Sequence, residues 1–315
     1  MPLGSQNMHI TMADTFLALM FFEVSRTANS TCAAGVVLFL IGFSATKSAV
    51  ARASGLDKVA ALSNLCFGIP LAVFGAEHFS AATGISQIVP KFMPWPLFWT
   101  YFVGTGLVAA ALSIATRIHV RWSGFLFGLM MFLFVAMMDL PGTLADVHNR
   151  ISWALMFREM AFGSGGWMLA AAAMDGPEEQ RRWRALIPFG RTVIGIACLL
   201  YGVEHFLHPL GLPGVPLEKE MPAWIPARML IDYLTGIFLL VGGVCFLLNR
   251  KARMAAAYLG GWILSMVLVI YGPVLIMALA DPSTSVKVEG INYFFDTLLF
   301  AGTVLALASA IPRVE

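Results

Sequence analysis

Long apolar segments recur through most of this chain and constrain its fold more than any other feature. A helix needs about 20 consecutive, mainly apolar residues to cross a bilayer. Open sheet edges cannot be satisfied in hydrocarbon, and these segments lack the alternation of strands. Only 12% of the residues are charged, against about 25% in soluble domains. The sequence therefore predicts an all-α membrane protein with eight transmembrane helices, at 58–79, 96–115, 122–138, 151–174, 189–207, 227–248, 255–280 and 291–311.

The first 56 residues are harder to assign. Residues 12–22 are apolar but short, and residues 32–44 are shorter than a comfortable span. A cleaved signal peptide fits poorly, because no basic start precedes the first apolar run and Glu23 and Arg26 interrupt it. We expect 1–56 to be an N-terminal extension with one marginal or interfacial helix. An upstream start codon or a cloning scar is an open alternative for Met1–Asn7.

Basic residues in the loops indicate the orientation of the bundle. Thirteen lie in loops on one side of the predicted helices and five on the other, which is a positive-inside asymmetry. Both ends of the eight-helix core are therefore expected in the cytoplasm. The first set is Lys47, Arg52, Lys58, Arg117, Arg121, Arg181, Arg182, Arg184, Arg191, Arg250, Lys251, Arg253 and Arg313, and the second is Lys91, Arg150, Lys219, Arg228 and Lys287.

A short element occurs twice, each time at the end of an apolar segment and before a loop rich in Pro and Gly. It reads Gly75-Ala76-Glu77-His78-Phe79 and then Gly202-Val203-Glu204-His205-Phe206. Similar positions follow in each half, such as Tyr101 and Tyr233, or Gly165 and Gly302. Four helices per half is an even number, so both halves should insert in the same orientation, related by an axis along the membrane normal. The sequence thus predicts two parallel four-helix-bundle repeats, 57–176 and 177–315, joined by a charged hinge at Asp175–Arg184.

The first copy continues into a more extended pattern, Ile88-Val89-Pro90-Lys91-Phe92-Met93-Pro94-Trp95-Pro96 and then Phe98-Trp99-Thr100-Tyr101-Phe102-Val103-Gly104. This pattern resembles the DoxX-like family of bacterial four-helix membrane proteins over 58–174, and the second half resembles it more loosely over 187–311. The resemblance implies a bacterial inner-membrane location. Members of this family are associated with quinone-linked sulfur oxidation and with membrane oxidoreductase complexes, although many have no assigned function. A quinone becomes the candidate cofactor, and redox-complex subunits become candidate partners besides the lipid bilayer.

Ionisable side chains inside the spans are the candidate ligand or proton site, since such groups are costly in lipid and commonly functional. Glu159 lies eight residues into its helix and Asp296 five, or about 12 and 8 Å in depth at 1.5 Å per residue. We therefore expect one site per half, in which Glu77 and His78 face Glu159 while Glu204 and His205 face Asp296. Arg158 should pair with an acid such as Glu159 or Glu77. The remaining acid within a span is Asp232.

Each of these features has a plainer interpretation beside the functional one. The histidines either help to pass a proton or sit at headgroup level and bond the glutamates or loop backbone. The aromatic residues of the loops and adjoining helix starts either anchor the protein at the interface or form a lid over a lipid-facing pocket. They are Trp95, Trp99, Trp224, Tyr101 and Tyr233. Metal is disfavoured because adjacent Glu and His side chains on a helix point about 100° apart.

The sequence excludes several classes of function and leaves three open. The sequence has no basic run interleaved with aromatic residues, the pattern that would suggest a nucleic-acid partner. It also has no Cys-x-x-Cys motif, the pattern that would suggest dithiol chemistry. The leading hypothesis is a membrane subunit of a quinone-linked redox system that handles a quinone or another small apolar molecule near the repeated Glu-His pairs. A non-enzymatic carrier or binding protein for a small amphiphile is one alternative, and a structural scaffold is the other. Whether the protein is an enzyme stays open.

Overall fold

The computed structural model describes residues 12–174, 176, 178, 181, 183 and 185–312, and their side chains from residue 26 onward. Met1–Asn7, most of the expected hinge, and Arg182, Arg184 and Arg313 lie outside the described residues. Within them there is no β-strand, only one antiparallel bridge between Gly211 and Glu220. Nine long helices make up the fold: α1 (Met12–Arg52), α2 (Ser63–Ser80), α3 (Pro96–Thr116), α4 (Val120–Ala145), α5 (Arg150–Ala172), α6 (Leu186–Leu207), α7 (Arg228–Leu247), α8 (Ala252–Ala280) and α9 (Thr284–Ala310).

Eight helical segments in the described part of the chain are long and apolar enough to cross a membrane, so the chain has the character of a multi-pass membrane protein. Their number agrees with the prediction, but one member differs. Arg26–Arg52 qualifies, whereas the predicted span at 151–174 does not. Helix α5 has 23 residues, about 35 Å at 1.5 Å per residue, but carries Arg158 and Glu159 near its middle.

The N-terminal helix is longer than the sequence predicted. The two short apolar runs, 12–22 and 32–44, belong to the single 41-residue helix α1, which packs against α2 and α3. Hydroxyl-bearing residues along α1 do not interrupt it, because their hydroxyls bond to carbonyls one turn earlier. Thr31 Oγ1 donates to the Thr27 carbonyl at 2.8 Å, and Ser44 Oγ donates to the Leu40 carbonyl at 2.8 Å.

The helices pack in sequence order within each half and crosswise between the halves. Helix α2 packs on α3, α3 on α4 and α4 on α5; α6 packs on α7, α7 on α8 and α8 on α9. The first helix of each half then meets the last helix of the other, in the pairs α2–α9 and α6–α5, and α5 packs directly on α9. The centre of the molecule is therefore the contact between α5 and α9.

Unusual backbone geometry recurs at a constant interval. Six non-glycine residues adopt positive φ and form three pairs 132 residues apart (227 − 95, 249 − 117 and 251 − 119): Trp95 and Ala227, Arg117 and Asn249, His119 and Lys251. Helices α4 and α8 each contain a five-residue π-helical turn, Val135–Asp139 and Val267–Tyr271, at the same interval. A proline follows each turn, Pro141 and Pro273, and a π-helical turn is one way to accommodate a residue that has no backbone N–H.

Glycines allow the halves to approach closely. A Cβ at Gly302 in α9 would lie 2.7 Å from the backbone nitrogen of Phe67 and 2.9 Å from the carbonyl carbon of Cys66, both in α2. Both neighbours are backbone atoms, so they cannot move without shifting a helix. A small residue at this point is typical of helix contacts in lipid.

We expect Gly302→Ala to lower the free energy of unfolding in detergent by about 1–3 kcal/mol, the usual cost of overpacking. Gly142→Ala is the matched control, because a Cβ at Gly142 meets nothing within 4 Å. The measurement is thermal unfolding of the two purified variants and the parent protein in one detergent. Equal melting of Gly302→Ala and the parent would show that α2 and α9 do not pack this closely.

Candidate functional site

A cavity of about 500 Å³ lies between α3 and α4, beneath the loop that follows α2. The loop contributes Ile85, Val89, Pro90 and Met93, and the helices contribute mainly apolar side chains. His78 is the one titratable side chain among the lining residues, with Thr100, Trp99 and Ser123 as the other polar ones. The cavity is thus an apolar groove, open on one side, where Ile88 and Phe102 are 65% and 60% exposed, with a small polar region at His78.

The position of His78 is set by its own helix and by a glycine of α3. Its Nδ1 donates a hydrogen bond to the Phe74 carbonyl at 2.8 Å. Gly104 of α3 lies against it, because a Cβ at Gly104 would come within 2.7 Å of His78 Cβ. The imidazole is therefore held between two helices at the edge of the cavity.

The loop that follows α2, which contains Met93, Pro94 and Trp95, forms part of the cavity wall. Trp99 lines the cavity, and its Nε1 donates to the Pro94 carbonyl at 2.9 Å, which ties α3 to the loop. Met93 lines the cavity as well. Trp95, in contrast, is 75% exposed, which suits an interfacial anchor. Trp99 thus borders the cavity, whereas Trp95 is not among its lining residues.

The other aromatic candidates do not line this cavity. Tyr101 stacks on Phe79 with 5.9 Å between ring centroids, and Tyr233 stacks on Phe206 at 5.5 Å. Tyr101 also borders a second cavity of about 690 Å³ formed with α1. Trp224 is 48% exposed. The Tyr101–Phe79 and Tyr233–Phe206 stacks secure the Glu-His-Phe elements to the following helix in each half.

Ion pairs centred on Arg158 join α5 to α9. Arg158 Nη2 donates to Glu159 Oε1 at 2.7 Å, and Nη1 donates to Asp296 Oδ2 at 2.6 Å. The three side chains are only 13–18% exposed. Arg158 thus binds Glu159, as the sequence suggested. It also binds Asp296 of the second half, which the sequence had predicted to face Glu204.

The expected pairing of acids within each half is wrong. Glu77 Oε1 accepts a hydrogen bond from Asn292 Nδ2 in α9 at 3.5 Å. Glu204 Oε2 lies 3.2 Å from Arg150 Nη1 in α5 and 3.6 Å from His208 Nε2. Each glutamate faces the last helix of the other half, because α2 packs against α9 and α6 against α5. His78 points elsewhere, into the cavity.

His205 and Asp232 form a different, fully buried arrangement, 2% and 1% exposed. His205 Nδ1 donates to the Tyr201 carbonyl at 2.6 Å, and Nε2 accepts the Gly214 backbone N–H at 3.0 Å. Asp232 Oδ1 lies 3.5 Å from the same Nε2. This contact is not an ion pair, since Gly214 already uses the nitrogen's single lone pair. Neither oxygen of Asp232 has a hydrogen-bond partner among the described residues.

Sequence reasoning missed several residues that complete these clusters. Asn292 is polar but uncharged, and a search for uncharged polar residues in the spans would have found it. Asp139, at the π-helical turn of α4, interacts electrostatically with Glu159 and Arg158, and lies one residue beyond the predicted span 122–138. Gly214 acts through its backbone, which leaves no signal in the sequence. No group of three or more His, Cys, Asp or Glu side chains in the described part of the chain is placed to hold a metal ion.

We expect Arg158→Met to lower the free energy of unfolding by about 3–5 kcal/mol, because it leaves two buried carboxylates unpaired. Arg150→Met is the comparison: Arg150 is 34% exposed, and exposed pairs contribute about 0–1 kcal/mol. Thermal unfolding in detergent measures both. Adding Asp296→Asn to Arg158→Met should recover part of the loss. A double variant no more stable than Arg158→Met would contradict the assigned ion pair.

Comparisons with protein-family models, with curated proteins and with solved structures found no match to this chain. Its function therefore has to be inferred from the arrangement of its own residues.

Proposed function

We propose that this chain is a bacterial inner-membrane protein with two DoxX-like four-helix repeats, and that it binds a small amphiphilic molecule in the cavity between α3 and α4. The observation that carries the binding proposal is the cavity itself. Its volume of about 500 Å³ falls within the usual range for small-molecule sites. An apolar wall with one polar end suits a ligand that has an apolar body and a polar head.

Local geometry supports the repeat. The three pairs of positive-φ residues and the two π-helical turns all recur after 132 residues. Each histidine donates from Nδ1 to the carbonyl four residues earlier, and each lies against a glycine of the next helix, Gly104 or Gly236. Independent helices would have no reason to share these details.

Binding fits the cavity better than catalysis does. Reduction of a quinone takes up two protons, and His78 is the one titratable side chain among the residues that line the cavity. The carboxylates expected to assist His78 have other partners: Glu159 binds Arg158, and Glu77 binds Asn292. We therefore favour a carrier or binding protein. A membrane subunit of a quinone-linked redox system is the narrower form of this proposal, in which the ligand is a quinone and other subunits supply the redox chemistry.

The proposal assigns ligand binding to the first half. In the second half the longer loop after α6 packs its own apolar residues, Leu212, Met221 and Ile225, against Ile270 and Tyr271 of α8. Tyr271 Oη also donates to the Pro213 carbonyl at 3.0 Å. The loop thus covers this side of α8 with buried side chains.

We propose the orientation that the loop charges favour, with the cavity towards the outer face. Lys47 and Arg52 lie near the C-terminal end of α1, on the basic side, and Arg26 lies one membrane-length away along the helix. If α1 spans the membrane, its residues 12–25 lie on the outer side.

The test is a cavity-filling variant, Gly106→Leu. Gly106 lines the cavity, and a Cβ there meets nothing within 4 Å, so the added side chain should occupy the cavity without displacing a helix. Molecules that co-purify with the parent protein are extracted and quantified by mass spectrometry. We expect a species that is depleted about tenfold in Gly106→Leu, equal to about 1.4 kcal/mol of binding free energy.

Gly142→Leu is the control for this experiment, since Gly142 has equally open space but does not line the cavity. It should retain the species. Equal amounts in Gly106→Leu and the parent would overturn the binding proposal. A quinone in the extract would favour the redox-linked form, and an extract with another amphiphile and no quinone would count against that form.

A further inference from the structure

The tautomer of His78 is fixed by its helix. A carbonyl oxygen only accepts hydrogen bonds, so the contact of 2.8 Å with the Phe74 carbonyl places a proton on Nδ1. The neutral ring then presents Nε2 as a bare acceptor. No carboxylate of the described residues lies within ion-pair distance of His78 to favour a second proton, and none lines the cavity.

His205 has the same local geometry, and there the acceptor is occupied. Its Nδ1 donates to the Tyr201 carbonyl at 2.6 Å, and Gly236 lies against its Cβ as Gly104 lies against that of His78. The backbone N–H of Gly214 then donates to Nε2 at 3.0 Å. A donor delivered by the chain's own loop therefore satisfies this imidazole.

The first half delivers no such donor. Its loop after α2 runs from Ala81 to the start of α3 and contributes Ile85, Val89 and Met93 to the cavity wall, through apolar side chains. Among the described residues, no N–H or O–H group donates to His78 Nε2. His78, whose Nε2 has no donor among the described residues, thus lines an apolar cavity, whereas the second half supplies an N–H to the equivalent nitrogen of His205.

We infer that the ligand of the cavity carries a hydrogen-bond donor, a hydroxyl or N–H group, at its polar end, and that this group donates to His78 Nε2. The inference rests on the proposed function and narrows its ligand class to alcohols, phenols and related donors with an apolar body. A ligand whose polar end only accepts, such as an ether or a ketone, leaves Nε2 unpaired. Of a quinone and its reduced form, only the hydroquinone has the required donor.

Two probes of nearly the same shape test the inference: para-nonylphenol, which donates, and para-nonylanisole, its methyl ether, which does not. Binding of each to the purified protein is measured by titration calorimetry in one detergent. A buried acceptor left unpaired is costly, so we expect the phenol to bind the parent protein about tenfold more tightly than the ether, equal to about 1.4 kcal/mol.

Variants separate the hydrogen bond from the cavity. His78→Phe keeps a ring at this position and removes Nε2, so it should bind both probes with the affinity of the ether. Binding of the ether to this variant also reports that its cavity is intact. His208→Phe is the matched control, because His208 is an imidazole outside the cavity, and it should keep the tenfold preference.

The possible results separate a failure of the donor rule, by which the ligand must donate to His78, from a failure of the proposed function. If the parent protein binds both probes equally, or prefers the ether, and Gly106→Leu binds neither, the cavity binds amphiphiles but the donor rule is overturned. If the parent protein binds neither probe, or Gly106→Leu binds both as well as the parent, the proposed function itself fails. Should His78→Phe not fold, the ratio of the two affinities in the parent protein still decides.

Discussion

The structure depends on Arg158 and the two carboxylates that it binds. An unpaired charge inside a membrane bundle is costly, so Arg158 needs both Glu159 on its own helix and Asp296 on α9. This requirement holds α5 against α9 at the centre of the molecule. Helices α2 and α6 then pack on the outer sides of this pair, each against the last helix of the opposite half. The two halves are consequently interleaved, although α6 also meets its own fourth helix, α9, where Tyr201 packs on Phe300.

Because the halves are interleaved, the Glu and the His of each repeated element contact different parts of the molecule. Adjacent residues on a helix face different directions, so Glu77 can bind Asn292 in α9 while His78 points to the cavity beside α3. The glutamates therefore connect the halves, and the histidines belong to the space inside each half. The two halves differ in that space. A loop fills it in the second half, and the first half keeps it open.

The sequence predicted the helical class, the spans from α2 to α4 and from α6 to α9, and the place of the Glu-His elements, because each follows from local composition and helix period. It failed where the outcome depends on which helices meet. Arg158 was given its neighbour Glu159 correctly, yet its partnership with Asp296 needs the crosswise packing. Helix α1 was underestimated because its two apolar runs were judged separately by length, whereas they belong to one helix in which the hydroxyls of Thr31 and Ser44 are satisfied. A lipid-facing pocket was one interpretation of the loop aromatics, but its position depends on how the loop after α2 packs on α3 and α4, which residue types do not reveal.

The close contact of Gly104 with His78 also bears on how fast a ligand can enter. The imidazole is tied at Nδ1 and confined at Cβ, so its acceptor already has the direction that a ligand would need. Little side-chain ordering then accompanies association. Several lining residues are open to the surroundings, with Ile88 65% and Phe102 60% exposed, so a ligand of the proposed kind would exchange directly with the surrounding lipid. Its residence time would then depend on the hydrogen bond to the histidine.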